Sequence, residues 1–392
     1  RRDALRMTQA LRRLGIAKGD RIATLAMNHS RHLVSWYGAV GVGGVLHTIN
    51  PRLFEDQLDY IANHAEDRVL LYDAAFQPIV DKMRASWKTI EHYICYDPAP
   101  GADGPGFEDW IGAEDGDTTW TEVDERDPCM LCYTSGTTGN PKGVLYEHRS
   151  TMLHAWAGIQ PVAFDFDARS VMLPVVPMFH AASWGLPWAG AMTGVKFVYS
   201  AVNDPVVLCD LMDRERVTHS AGVPTVWLAM FQHCDQTQRG LPTLKQAIIG
   251  GSAAPRFMIE RLMRAGIRVA HAWGMTETSP IGTVGAPTPD WDSLSFDEQV
   301  SVVQMQGRLA GLVYLGVVLT GIFSLAYAPG TLFVEGDDSA TAAAIASAGG
   351  PSALAPAAIG VTFVSTALTY WYFRRRGWIG RHRCSGNHQP HS

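Results

Sequence analysis

Short apolar runs alternate with amphipathic stretches through the first three hundred or so positions, and that rhythm limits the fold more than any other feature. Leu5, Thr8, Leu11 and Leu14 recur at helical spacing and stop at Gly15. Strand-like runs follow at 21–25, 45–48 and 69–72, with helical patterns at 30–40 and 55–65 between them. The same alternation resumes with strand-like runs at 130–133, 171–176, 195–198, 244–249 and 268–271. Helical stretches at 205–216 and 255–264 open on proline, whose missing amide costs little in a first turn. Such alternation predicts crossover units and a parallel sheet covered by helices, an α/β fold. The stretch 98–117, rich in proline, glycine and acids, is expected to divide the fold into two subdomains.

Composition narrows the function classes. The chain has 392 residues and a formal net charge of -6, so it carries no polycationic face for nucleic acid. Its six cysteines are scattered rather than framed as disulfide pairs, which points to a reducing, cytoplasmic setting for the main body. The first residues, Arg1-Arg2-Asp3-Ala4-Leu5-Arg6, lead into a helix pattern and not into the apolar core of a signal peptide. With no initiator methionine, the N-terminus reads as truncated.

The material changes near position 308. Residues 309–334 and 339–373 contain no charged side chain, and each window exceeds the roughly 20 residues needed to cross a bilayer core. Glu335, Asp337 and Asp338 lie between the windows, and Arg374, Arg375, Arg376, Arg381 and Arg383 follow the second. The expectation is two transmembrane helices within 309–373, a loop near 335–351 and a basic tail at 374–392 on the cytoplasmic side of the inner membrane. The competing reading is a pair of buried helices, favoured by the small residues Ala342, Ala343, Ala344, Gly349 and Gly350.

Two stretches carry chemistry. Tyr133-Thr134-Ser135-Gly136-Thr137-Thr138-Gly139-Asn140-Pro141-Lys142-Gly143-Val144 follows an apolar strand. Its glycines allow close backbone approach, its hydroxyls add donors and Lys142 adds a point charge, the components of a polyphosphate cradle. Lys142 is followed by Gly143 where a Walker A loop needs Ser or Thr, so a kinase or GTPase reading is weak. The structural alternative is a flexible turn. His271-Ala272-Trp273-Gly274-Met275-Thr276-Glu277 follows another strand, and the Glu277 carboxylate suits a hard cation bridging phosphates. His180 sits after Pro177, Met178 and Phe179, as a core histidine also could. Trp184, Trp188 and Trp227 could shape an apolar tunnel or belong to the core. Cys129 and Cys132 fall in a strand pattern without further ligands and read as core thiols.

Stretch 133–144, Pro177-Met178-Phe179-His180, Gly250-Gly251-Ser252-Ala253-Ala254-Pro255 and Trp273-Gly274-Met275-Thr276-Glu277 together resemble the adenylate-forming acyl-CoA synthetases. Within that family the resemblance is to medium-chain fatty acyl-CoA ligases and methylmercaptopropionate-CoA ligases. It implies the large N-terminal domain of that fold over 1–308, and the ATP-dependent conversion of a carboxylic acid to acyl-AMP and then acyl-CoA. It further implies ATP, magnesium and coenzyme A as cofactor and co-substrates, and a homodimer as one form of the protein. Thr134, Ser135, Gly136, Thr137, Thr138, Gly139 and Lys142 would hold the β and γ phosphates. Thr276 would touch phosphate and Glu277 would bind the metal. Gly251, Ser252 and Ala253 would line the adenine side, with His271, Ala272, Trp273, Gly274 and Met275 opposite, and His180 would border the acyl group.

The resemblance also implies a ribose-binding aspartate, a hinge and a small domain bearing a lysine after Glu277, and none of those motifs occurs here. Residues 297–308, ending Gln306-Gly307-Arg308, still resemble the family, whereas 308–327 resembles the opening of a bacterial multi-pass membrane family of unknown function. The expectation is a truncated ligase domain with impaired activity joined to a membrane hairpin. The alternatives are a chimeric gene product and a membrane-anchored nucleotide-binding or structural protein without ligase activity.

Overall fold

All four residues of Val45–Thr48 are buried, and so are all four of His219–Gly222 and of Gln246–Ile249. Strands without an exposed face must be covered on both sides, as in the centre of an α/β sheet. The computed structural model describes residues 1–100, 106–134 and 140–307. Its strands are β1 (Arg21–Leu25), β2 (Val45–Thr48), β3 (Asp67–Tyr72), β4 (His92–Cys95), β5 (Pro128–Thr134), β6 (Lys142–Glu147), β7 (Val171–Pro174), β8 (Lys196–Phe197), β9 (His219–Gly222), β10 (Gln246–Ile249), β11 (Arg268–Gly274) and β12 (Ile281–Val284). The helices are α1 (Arg2–Arg13), α2 (Ser30–Gly41), α3 (Glu55–Ala65), α4 (Gln77–Met83), α5 (Phe107–Gly112), α6 (His148–Gly158), α7 (Leu186–Thr193), α8 (Pro205–Glu215), α9 (Pro224–Thr237), α10 (Arg256–Arg264) and α11 (Phe296–Gln304).

These strands form two six-stranded sheets, ordered β4-β3-β1-β2-β5-β6 and β12-β11-β10-β9-β7-β8. Each is parallel except for one antiparallel edge strand, β6 in the first and β12 in the second. A parallel return needs a crossover of a dozen or more residues, and the connections into β6 and β12 are too short for one. The single parallel sheet expected from alternation is thus corrected to two mixed sheets. β5 and β6 belong to the first sheet although they follow the 98–117 connection, and the sheets change between Glu147 and Val171.

Local signals place several helix ends. Asp204 accepts from the amides of Val206 and Val207 just ahead of Pro205, satisfying first-turn donors of α8. Ser295 and Glu298 form a capping box on α11. One core packs around Trp36, Leu46, Met130 and Tyr146, and another around Trp227, Phe231, Ile249 and Ile259. Among the described residues no helix is long and apolar enough to cross a membrane. The windows 309–334 and 339–373 and the basic tail lie outside the described residues.

Candidate active site

Strand β5 ends at Thr134, which pairs with Lys142 at the start of β6. Ser135, Gly136, Thr137, Thr138 and Gly139 lie outside the described residues. Their flanks do not: Thr134 and Lys142 line a cleft of about 550 Å3 that also takes in His180, Gly251, Ala272, Trp273, Gly274, Met275, Thr276 and Glu277. Lys142 and Glu277 therefore face one space, although 135 positions separate them in the chain. The cleft lies at the C-terminal ends of β2, β10 and β11, the usual ligand side of an open α/β sheet.

The turn that carries Glu277 is built by glycine and threonine. A Cβ on Gly274 would stand 2.1 Å from the Pro280 carbonyl oxygen, so only glycine lets β11 pass that backbone. The Thr278 hydroxyl accepts from the Met275 amide at 2.9 Å and donates to the Pro280 carbonyl. Tyr146 on β6 donates to the Thr276 carbonyl at 2.6 Å, which joins the turn to the strand of Lys142. Glu277 is exposed to the cleft. Among the described residues no group of three His, Cys, Asp or Glu side chains could hold a metal by itself. A lone carboxylate fits a magnesium ion that takes its remaining oxygens from substrate phosphates and water.

His180 opens a short turn, Ala181–Gly185, in which Ala181, Ala182, Ser183 and Trp184 all have φ between 43 and 56°. Left-handed backbone costs a non-glycine residue about 1–2 kcal/mol. The turn brings both His180 and the Trp184 indole onto the cleft wall. His180 is reached by solvent, yet the protein around it pushes its imidazole below the usual pKa by desolvation. Trp184 lies against the glycine pair after β10: a Cβ on Gly250 would meet it at 3.2 Å. Trp188 instead packs 5.5 Å from Trp36 and Trp227 is 1% exposed, so these two belong to the core.

His271, for which the motif position implies a place on the adenine wall, does not line the cleft. It is wholly buried; Nε2 accepts from the Ala254 amide at 3.1 Å and Nδ1 faces the Val303 carbonyl at 3.3 Å. Alternation along β11 sends neighbouring side chains to opposite faces, which puts His271 beneath the 250–254 turn. Its imidazole, lowered by burial, is kept in the neutral form that can accept there. Ser252 and Ala253 are exposed on that turn but do not line the cleft; Gly251, at φ 78°, does. Cys129 and Cys132 are buried, and desolvation pushes both thiols up to about 11. Sequence reasoning passed over Thr48, Asn50 and Tyr146. Only Tyr146 carried a usable signal, its even spacing from Lys142 along a strand.

A family model for AMP-binding enzymes matches residues 1–312. The 3-methylmercaptopropionyl-CoA ligase of Ruegeria pomeroyi is 44% identical over 314 residues, which cover 78% of this chain and 58% of that protein. The medium-chain-fatty-acid–CoA ligase of Ectopseudomonas oleovorans is 42% identical over 313 residues, covering 78% of this chain and 57% of its own length. The chain thus spans less than three-fifths of the curated relatives it matches. Among solved structures, the inhibitor-bound N-terminal domain of FACL13 from Mycobacterium tuberculosis superposes with a TM-score of 0.66 at 30% identity, covering 73% of this chain and 70% of that one. A long-chain-fatty-acid-CoA ligase from Archaeoglobus fulgidus, at a TM-score of 0.68 and 20% identity over 78% of this chain and 60% of that one, shares the fold.

Proposed function

This chain belongs to the AMP-binding enzyme family, and from that premise we propose that its cleft activates a medium-chain fatty or related carboxylic acid with ATP. The acid's carboxylate oxygen attacks the α-phosphorus of ATP, the bond to the bridging oxygen breaks, and acyl-AMP and pyrophosphate result. The thiol of coenzyme A then loses its proton and attacks the acyl carbon, giving the thioester and AMP. Neither step needs a nucleophile from the protein, so the residues act by position and charge.

Lys142 stabilises the charge of the β and γ phosphates, together with the hydroxyl-rich stretch 134–139. Glu277 would hold a magnesium ion, which would supply charge neutralisation at the phosphates. Thr276 orients phosphate beside it, Gly251 and Trp273 border the nucleotide, and His180 borders the acyl group. The observation that carries this reading is the shared cleft of Lys142, Glu277 and His180: a cation and a carboxylate at one site, with an imidazole and an indole along the same wall.

Calorimetry with magnesium-ATP, followed by octanoate-dependent exchange of labelled pyrophosphate into ATP, tests it. Binding accompanied by acid-dependent exchange supports acyl activation. Binding with no exchange for any acid would favour a nucleotide-binding protein without ligase chemistry.

A further inference from the structure

Left-handed backbone over 181–184 is opposed by local preference, because Cβ crowds the following carbonyl. Tertiary contacts must impose it. The entry to this turn is held from the other sheet by Asn28, which follows β1 and is 5% exposed. Its Nδ2 donates to the Pro174 carbonyl at 3.0 Å and the Val176 carbonyl at 2.9 Å, and its Oδ1 accepts from the Met178 amide at 2.7 Å. Two carbonyls can face only the amino end of the side chain and a backbone N–H only the carbonyl end, so these partners set the orientation of the amide. Val176 accepts a second bond, from the buried Ser183 hydroxyl at 3.4 Å, inside the turn itself. The ends are closed by the backbone amide of His180 donating to the Pro177 carbonyl at 3.1 Å and the backbone amide of Ser183 donating to the His180 carbonyl at 2.9 Å.

We propose that Asn28 is a positioning residue for the acyl side of the cleft: by tying β1 to the 174–178 backbone it imposes the left-handed turn and so sets where His180 and Trp184 stand. The proposal rests on the reading of the cleft as an acyl-adenylate site. Without the Asn28 amide, the carbonyl of Pro174 and the amide of Met178 lose their partner in a buried place, where an unmade bond is unfavourable. The backbone then relaxes toward ordinary φ, and Trp184 swings off Gly250 and Gly251. The phosphate end is separate, since Lys142, Thr276 and Glu277 hang on β6 and β11 and are joined by Tyr146.

The test compares the full chain with Asn28→Asp, which replaces the donor end by an acceptor, and Asn28→Ser, which keeps one donor. Two probes are titrated calorimetrically: octanoyl-sulfamoyl-adenosine, a non-hydrolysable acyl-adenylate mimic, and magnesium-ATP. Asn28→Asp is expected to weaken the mimic at least tenfold and magnesium-ATP by less than twofold, with Asn28→Ser in between. In a Trp184→Ala background the same change should add less than twofold, because both act through one wall. Equal weakening of both probes, unchanged binding of both, or a fully additive loss overturns the proposal. If Asn28→Asp does not fold, Asn28→Ser is judged by the same criteria. A wild-type chain that binds magnesium-ATP but not the mimic overturns the ligase reading instead. Positioning is then decided without ligand by the ring resonance of His180, identified through His180→Gln. A shift of that resonance in Asn28→Ser, with His219 unmoved, supports positioning, and an unmoved His180 overturns it.

Discussion

The Tyr146 hydroxyl donates to the Thr276 carbonyl oxygen at 2.6 Å. Tyr146 lies four residues beyond Lys142 on the same strand, and Thr276 immediately precedes Glu277. One hydrogen bond therefore couples the strand that carries the cation to the turn that carries the carboxylate. Burial raises the Tyr146 hydroxyl far above its ordinary pKa, so it remains a donor at any pH the fold tolerates.

Tyr146→Phe removes that bond and little volume. It should lower stability by about 0.5–1.5 kcal/mol, the usual net contribution of one buried hydrogen bond. Magnesium-ATP affinity should fall several-fold, because the turn at Thr276 loses its tether. Thermal unfolding with and without magnesium-ATP measures both effects. An unchanged shift by the ligand would uncouple Tyr146 from the site.

Lys142→Ala and Glu277→Gln should differ in their response to metal. The first removes a charge that acts on phosphate directly, so ATP affinity should drop about tenfold, near 1.4 kcal/mol, with or without magnesium. The second should abolish only the increment that magnesium adds. Titrations in magnesium and in EDTA separate the two. A Glu277→Gln chain that still binds ATP more tightly with magnesium would move the metal to another ligand.

Gly274→Ala places a methyl group against the Pro280 carbonyl and the Ile281 backbone. Overpacking against rigid atoms should destabilise by about 1–3 kcal/mol and weaken nucleotide binding through the Glu277 turn. Gly240→Ala is the control, since nothing lies within 4 Å of its added Cβ. Denaturant midpoints for the pair decide it, and equal midpoints would contradict the close approach.

Three imidazoles, those of the buried His32 and His219 and the half-buried His154, are held below the ordinary value by desolvation: His32 down to about 3, and His154 and His219 down to about 4. Unfolding lets each take up a proton below about pH 6.5. Their stabilisation is complete above that value and is lost as pH falls toward 4, at up to about 1.4 kcal/mol per pH unit for each group. Asp67, raised by burial, opposes them as a single group. The urea midpoint should therefore fall steeply between pH 6.5 and 4.5. A flat profile over that window would show these rings to be solvated.

Legibility followed the range of the cause. The helix 55–65 and the strands 21–25 and 45–48 were readable because apolar period and caps act within a few residues. Strands β4, β9 and β12 were not read: His92–Cys95 and His219–Gly222 lack a strong strand pattern, and neighbouring strands recruit them. Lys142, Thr276 and Glu277 could be picked out because cation, hydroxyl and carboxylate stand beside glycines after apolar runs. His271 could not be placed, since which face of β11 it occupies depends on how the sheet meets α11.

From sequence alone come the α/β class, a candidate phosphate loop and the candidate pair Lys142 and Glu277, because residue type and local spacing carry that information. Tertiary structure decided the split into two sheets, the burial of His271 in the core, the tether from Tyr146 to Thr276 and the grip of Asn28 on the 174–178 backbone. Tyr146 reaches across 130 positions and Asn28 across as many as 150. Contacts at that separation arise only when strand register and sheet packing bring two backbones together, and no local period records which backbones those are.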